Sequence, residues 1–96
     1  MNVILHPAAE REFSEAFKWY EKRMTGLGTE FSNMIDETVH RVKNSPLSFP
    51  ICYKTVPKAV LKKFPYILLF SMNNSDIMII AISHTGRNPL EWHKRK

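Results

Sequence analysis

The feature that most constrains the fold of this chain is the unbroken apolar run IMIIAI at residues 77–82. Six residues are far too few to cross a membrane, which takes about 20, but they suit a β-strand that is covered on both faces. Such a strand needs other strands beside it and a layer of helices over it. The run therefore predicts a buried strand over residues 77–83, and the rest of the sequence must supply its neighbours.

Two amphipathic helices are predicted in the first half of the chain. After Pro7, which suits the first position of a helix, apolar side chains recur every three or four residues in two stripes. The stripes consist of Ala9, Phe13, Ala16, Tyr20 and Met24, then of Leu27, Phe31, Met34 or Ile35, Thr38 or Val39, and Val42. Trp19 and Tyr20 are interpreted as core and edge of the first helix. Gly26 and Gly28 separate the stripes, and so short a connection predicts an antiparallel helical hairpin.

Short strands are predicted at residues 2–5, 52–56, 59–63 and 66–72, with a polar turn at residues 73–76 before the strand at 77–83. Pro57 and Pro65 predict that the earlier strands are short, bent or at an edge. The expected fold class is α+β: an N-terminal strand and an antiparallel helical hairpin packed on a small, mainly antiparallel β-sheet. Residues 1–96 are expected to form a single domain.

The positive charge of the chain is concentrated in its second half. The formal net charge is +5, yet residues 1–48 hold six Lys and Arg against seven acidic residues. Residues 49–96 hold eight Lys and Arg against two acidic residues, a net charge of +6. This asymmetry favours an acidic or polyanionic partner, namely RNA, DNA or an acidic protein segment, over a merely solvated basic face.

The remaining composition favours a cytoplasmic protein without a cofactor. The lone Cys52 excludes a disulfide within the chain and fits a reducing compartment. The N-terminus does not have the pattern of a signal peptide, and no membrane segment is expected. Neither a Cys/His cluster of metal-site spacing nor a glycine-rich phosphate loop is present, so no metal site is expected.

Four segments, in this order, carry a resemblance to a known family. They are HPAAEREFSEAFKWYEKRMTGLGTEF, SFP, KKFPYILLF and ISHTGRNPLEW. Together they resemble the toxins of the RelE/ParE superfamily of type II toxin–antitoxin systems, most closely the ParE-type branch associated with plasmid stabilisation. The resemblance implies a toxin that arrests bacterial growth and is neutralised by a cognate, acidic antitoxin. It implies either ParE-like inhibition of DNA gyrase or RelE-like cleavage of mRNA on the ribosome.

Candidate residues follow from these two modes. Metal-free RNA cleavage needs a base, an acid and cations around the phosphate. For a nuclease the candidates are Arg87, His84, Lys62 and Lys63. For binding a target or a nucleic acid they are Lys54, Lys58, Tyr66, Arg87, Trp92, Lys94 and Arg95.

Two positions depart from the RelE pattern. Trp92 lies near the place of a C-terminal tyrosine but has no hydroxyl, and Ile67 occupies the position after FPY where cleaving members tend to carry an arginine. These departures favour gyrase inhibition. RNA cleavage is the alternative, and an inactive basic module that binds nucleic acid or protein is a further one, so whether the chain is an enzyme stays open.

Overall fold

The computed structural model describes residues 2–86 and Arg95. Along the chain these form β1 (Asn2–Leu5), α1 (Pro7–Arg23), α2 (Leu27–Asn44), a 3-10 turn (Pro46–Ser48), β2 (Ile51–Tyr53), β3 (Val56–Val60), β4 (Tyr66–Met72) and β5 (Asp76–His84). The five strands make one sheet in the order β1-β5-β4-β3-β2. β1 runs parallel to β5, and every other neighbouring pair is antiparallel. The predicted α+β arrangement is therefore confirmed.

The hairpin between the helices depends on one glutamate. Gly26 lies just before α2 with a φ of +92°, a left-handed conformation that suits glycine. The carboxylate of Glu21, on α1, accepts hydrogen bonds of 2.9 Å from the backbone N–H groups of both Gly26 and Gly28. Because the first N–H groups of a helix have no partner within it, Glu21 supplies the cap of α2 and ties the two helices together.

The predicted apolar stripe of α2 is confirmed from Phe31 to Val42, whereas Leu27 is only half-buried, and that of α1 needs one correction. The fully or nearly fully buried side chains of α2 are Phe31, Ile35, Thr38 and Val42, with Met34 and Val39 packed at the margin. On α1, Ala9 and Ala16 are buried, and Phe13 and Tyr20 pack against the same core. Met24 was predicted to continue this stripe, but it follows the end of α1 and is 57% exposed. The prediction for Met24 is wrong because α1 ends at Arg23.

Two of the predicted strand boundaries are also corrected. The strands predicted at residues 52–56 and 59–63 occur as Ile51–Tyr53 and Val56–Val60. Lys54 and Lys63 adopt left-handed φ angles of 51° and 68° in the turns that follow β2 and β3. Non-glycine residues rarely take this conformation, so the turns begin earlier than the sequence pattern indicated.

A bulge in β5 explains the unbroken apolar run. Ala81 pairs with Leu69 and Ile79 pairs with Phe70, so Ile80 has no counterpart on β4. Ile79 and Ile82 face the helices, whereas Ile80 and Ala81 belong to a second apolar cluster on the other side of the sheet. An inserted residue reverses the alternation of a strand, and both faces of β5 are covered at this point, so apolar side chains are buried on either side of the sheet.

Candidate functional site

A cavity of about 680 Å³ lies between α1 and one end of the sheet. One wall comes from α1, and the other comes from the start of β4 and the end of β5, which are paired through Tyr66 and His84. The lining residues are Glu15, Ala16, Trp19, Tyr20, Pro65, Tyr66, His84 and Gly86. Of the residues predicted to carry function, Tyr66 and His84 are thus brought together in one cavity.

Backbone and imidazole hydrogen bonds fix the end of β5 in this wall. The Thr85 N–H donates to the Pro65 carbonyl at 2.8 Å. The Gly86 N–H donates to Nδ1 of His84 at 3.0 Å. Since an accepting Nδ1 carries no proton, the proton of the neutral imidazole is on Nε2. His84 therefore closes a turn and still offers one N–H donor.

Four rings of the described residues line the cavity, each turned steeply against the next. Trp19 and Tyr20 have ring centroids 5.1 Å apart at 88°. Tyr20 and Tyr66 are 6.2 Å apart at 63°, and Tyr66 and His84 are 5.3 Å apart at 85°. Burial, and then the neighbouring Tyr66, raise the pKa of Tyr20 above its ordinary value of 10.0. Tyr20 therefore loses its proton less readily than a tyrosine in water.

The predicted lysines that the structure describes do not line this cavity. Lys62 forms an exposed ion pair of 3.7 Å with Glu37 on α2, and Lys63 lies exposed in the turn between β3 and β4. Lys54 lies in the turn between β2 and β3, at the far end of β3, with its Nζ 5.5 Å from the Tyr53 ring centroid.

Two further positions on the strands face away from the helices. Lys58 pairs with Leu69, which belongs to the apolar cluster on that side of the sheet. Ile67 packs against the same cluster. Because Tyr66 and Ile67 point to opposite faces, a side chain at position 67 does not reach the cavity that holds His84.

Arg95 lies in a second polar arrangement, at the edge of β5. β1 ends at Leu5, opposite Ile79, so within the described part of the chain the next residues of β5 have no strand on that side. The Glu12 carboxylate accepts a 3.0 Å hydrogen bond from the Ile82 N–H, and the Arg95 guanidinium donates to the Ile80 carbonyl at 3.3 Å. Glu12 and Arg95 bind each other through two contacts of 2.8 and 3.0 Å. Arg95 was predicted to bind a target. In the structure its guanidinium donates hydrogen bonds to Glu12 and to the Ile80 carbonyl at the open edge of the bulged strand.

The remaining predicted residues, Arg87, Trp92 and Lys94, lie outside the described residues. Within residues 2–86 and Arg95, no three His, Cys, Asp or Glu side chains gather in a way that would hold a metal ion. Over the same residues, neither helix is long and apolar enough to cross a membrane.

Sequence reasoning missed Glu12, Glu15 and the exposed position of Trp19. A glutamate among the charged residues of an amphipathic helix looks like an ordinary solvated side chain, so Glu12 and Glu15 gave no signal. Trp19 was interpreted as core or edge of the first helix, yet it is 53% exposed. The position of Trp19, a large aromatic side chain beside the main apolar stripe of α1, is the one sequence feature that could have indicated a surface cavity.

Comparison with known proteins identifies the fold. No family model and no curated protein matches this chain. Among solved structures, a chain of the chromosomal ParDE toxin–antitoxin system from P. aeruginosa superposes with a TM-score of 0.77 at 16% sequence identity. The match covers 88% of this chain and 95% of the other. The chain therefore has the fold of a ParDE toxin–antitoxin system chain, as its sequence resemblance to the RelE/ParE superfamily predicted.

Proposed function

We propose that this chain is the toxin of a type II toxin–antitoxin system and that it arrests bacterial growth by inhibiting DNA gyrase. The observation that carries the proposal is the ParDE-like fold, which extends over 88% of the chain at a TM-score of 0.77. The order of sequence segments that resemble ParE-type toxins supports it independently of the fold.

The surroundings of His84 support gyrase inhibition over RNA cleavage. Metal-free cleavage needs cations around the phosphate as its charge increases. Among the described residues, no Lys or Arg lines the cavity with His84, and Glu15 places a carboxylate there instead. Ile67, at the position where cleaving members tend to carry an arginine, packs on the opposite face of the sheet.

RNA cleavage is the second candidate, because one arrangement favours it. Lys62 and Lys63 follow β3 at the same end of the sheet as His84. In this mode Arg87, His84, Lys62 and Lys63 would act on mRNA in the ribosome. A basic interaction module without toxin activity is the third candidate.

The proposed partner is a cognate antitoxin with an acidic segment, and the proposed compartment is the cytoplasm. The second half of the chain carries a net charge of +6, which complements such a segment. Acidic segments that order on binding can cover a large surface.

Induced expression in a bacterium tests the toxin and its mode together. We expect growth to stop, with DNA damage signalling and intact mRNA, and growth to resume when the adjacent antitoxin gene is co-expressed. Arg87→Ala tests the RelE-like mode, since it should abolish mRNA cleavage if this guanidinium takes part in it. Asp36→Asn, on the exposed side of α2, is the matched control. Unimpaired growth at high expression would refute the toxin, and mRNA cut within codons would favour the RelE-like mode.

A further inference from the structure

The cavity between α1 and the ends of β4 and β5 has an unusual combination of rings and charge. We propose that it binds the guanidinium group of an arginine side chain presented by a protein partner. The proposal rests on the cavity itself and does not depend on the toxin activity proposed above.

The described lining of the cavity is rich in aromatic rings that meet at steep angles. Trp19, Tyr20, Tyr66 and His84 follow one another at interplanar angles of 88°, 63° and 85°. Rings turned in this way present faces and edges to the same space from several directions. The faces of Trp and Tyr attract cations through their quadrupoles, most strongly where water is excluded.

The charge of the cavity selects a cation rather than a phosphate. Glu15 is the acidic lining residue, and it forms no hydrogen bond or ion pair with any other described residue. Tyr20 adds no charge to the cavity, since burial and Tyr66 raise its pKa further above its ordinary value of 10.0. No Lys or Arg of the described chain lines the cavity. With respect to these described residues, a phosphate of a nucleic acid would approach the Glu15 carboxylate, whereas a cation would gain a partner there.

Arginine fits this space better than lysine. A guanidinium is planar, stacks on aromatic faces and binds a carboxylate through two donors, whereas an ammonium is a compact and strongly hydrated charge. The chain already shows the affinity of Trp19 for this group, since the guanidinium of its own Arg23 lies 4.3 Å from the Trp19 ring centroid. Arg23 is not among the described residues that line the cavity, so a second guanidinium would approach Trp19 from the side of the cavity.

Titration of the isotope-labelled full chain with small probes, followed by NMR, tests the proposal. N-acetyl-arginine amide is the cationic probe, and N-acetyl-citrulline amide is its uncharged analogue of almost the same shape. Guanosine monophosphate represents a nucleic acid. We expect the arginine probe alone to shift the Trp19 indole and His84 ring signals in a saturable manner.

Matched variants assign the binding to the cavity. Glu15→Gln removes the charge and keeps the shape, and should weaken arginine binding by about three- to tenfold, the range of a charge-assisted contact at a partly exposed site. Trp19→Leu should weaken it similarly through loss of the ring. Glu10→Gln, an equal change on the exposed part of α1, should leave the affinity unchanged.

Three outcomes would overturn the proposal. The first is equal binding of the arginine and citrulline probes, which would show that charge plays no part. The second is an unchanged affinity in Glu15→Gln. The third is stronger binding of the nucleotide than of the arginine probe at the same resonances, which would make the cavity a nucleobase site.

Discussion

Removal of Glu12 should destabilise the fold more than removal of any exposed glutamate of α1. The side chains of Glu12 and Arg95 are only 14% and 20% exposed. In Glu12→Ala the Arg95 guanidinium loses both carboxylate contacts, and the Ile82 N–H loses its acceptor. We therefore expect both an unpaired cation and an unpaired donor at the edge of β5.

The size of the effect follows from this partial burial. Breaking one partner of a fully buried ion pair costs about 3–5 kcal/mol, whereas exposed pairs contribute about 0–1 kcal/mol. Since Glu12 and Arg95 are mostly but not wholly buried, Glu12→Ala should lower the free energy of unfolding by about 2–4 kcal/mol. Glu12→Gln should cost about 1–2 kcal/mol because the amide oxygen can still accept from Ile82. Against a total of about 5–15 kcal/mol for a domain, either loss is large.

Urea denaturation measures this loss, and amide hydrogen exchange locates it. The Ile82 amide should exchange markedly faster in Glu12→Ala than in the parent. The double variant Glu12→Ala/Arg95→Ala should lose less than the sum of the single variants, because no unpaired charge remains. Glu15→Gln is the control and should stay within about 0.5 kcal/mol of the parent. The reasoning would be refuted if Glu12→Ala also stayed within about 0.5 kcal/mol of the parent and its Ile82 amide exchanged at the parent rate.

Two further predictions concern the helical hairpin and the cavity. A Cβ at Gly28 would lie 2.8 Å from Oε1 of Glu21 and 2.9 Å from the Phe17 carbonyl oxygen. Gly28→Ala should therefore displace the Glu21 carboxylate and lower the free energy of unfolding, measured in urea, by about 1–3 kcal/mol. A urea midpoint equal to that of the parent would contradict the expected clash. Burial, and then Tyr66, raise the pKa of Tyr20 above 10.0 in the folded protein. The protonated Tyr20 side chain therefore contributes its full share of the folding stability below pH 10. This share is lost as the pH rises through the pKa of Tyr20 in the folded state. Between pH 9 and 11 the urea midpoint should fall more in the parent than in Tyr20→Phe, and an equal fall in both proteins would contradict the assignment.

Much of the fold was predictable because local patterns and tertiary packing agree. The stripe of α2 and the strand Tyr66–Met72 occur as predicted. The boundaries of β2 and β3 were not predictable, since Lys54 and Lys63 take a left-handed conformation that their side chains do not favour. The bulge at Ile80 was not predictable either, because every residue around it is apolar. The sequence there has no alternation of apolar and polar residues that a bulge would interrupt.

The site was predictable only in part, for a different reason. His84 and Tyr66 stand out in sequence because each follows or begins an apolar strand, and they meet in the cavity. Glu15 does not stand out, since its role depends on which strand ends α1 covers. Lys58 was grouped with the other basic residues, yet the alternation of β3 places it on the face away from the helices. Charge counted along the sequence therefore overestimates the cations available to one site.

The function proposed for this chain is inhibition of gyrase without cleavage of RNA. The most direct test adds the purified, refolded chain to DNA gyrase with relaxed plasmid, and in parallel to translating ribosomes with a defined mRNA. We predict that plasmid supercoiling falls as the chain is added, that co-purified antitoxin restores it, and that the mRNA stays intact. Full supercoiling in the presence of the chain, together with mRNA cut at the ribosomal A site, would contradict the account.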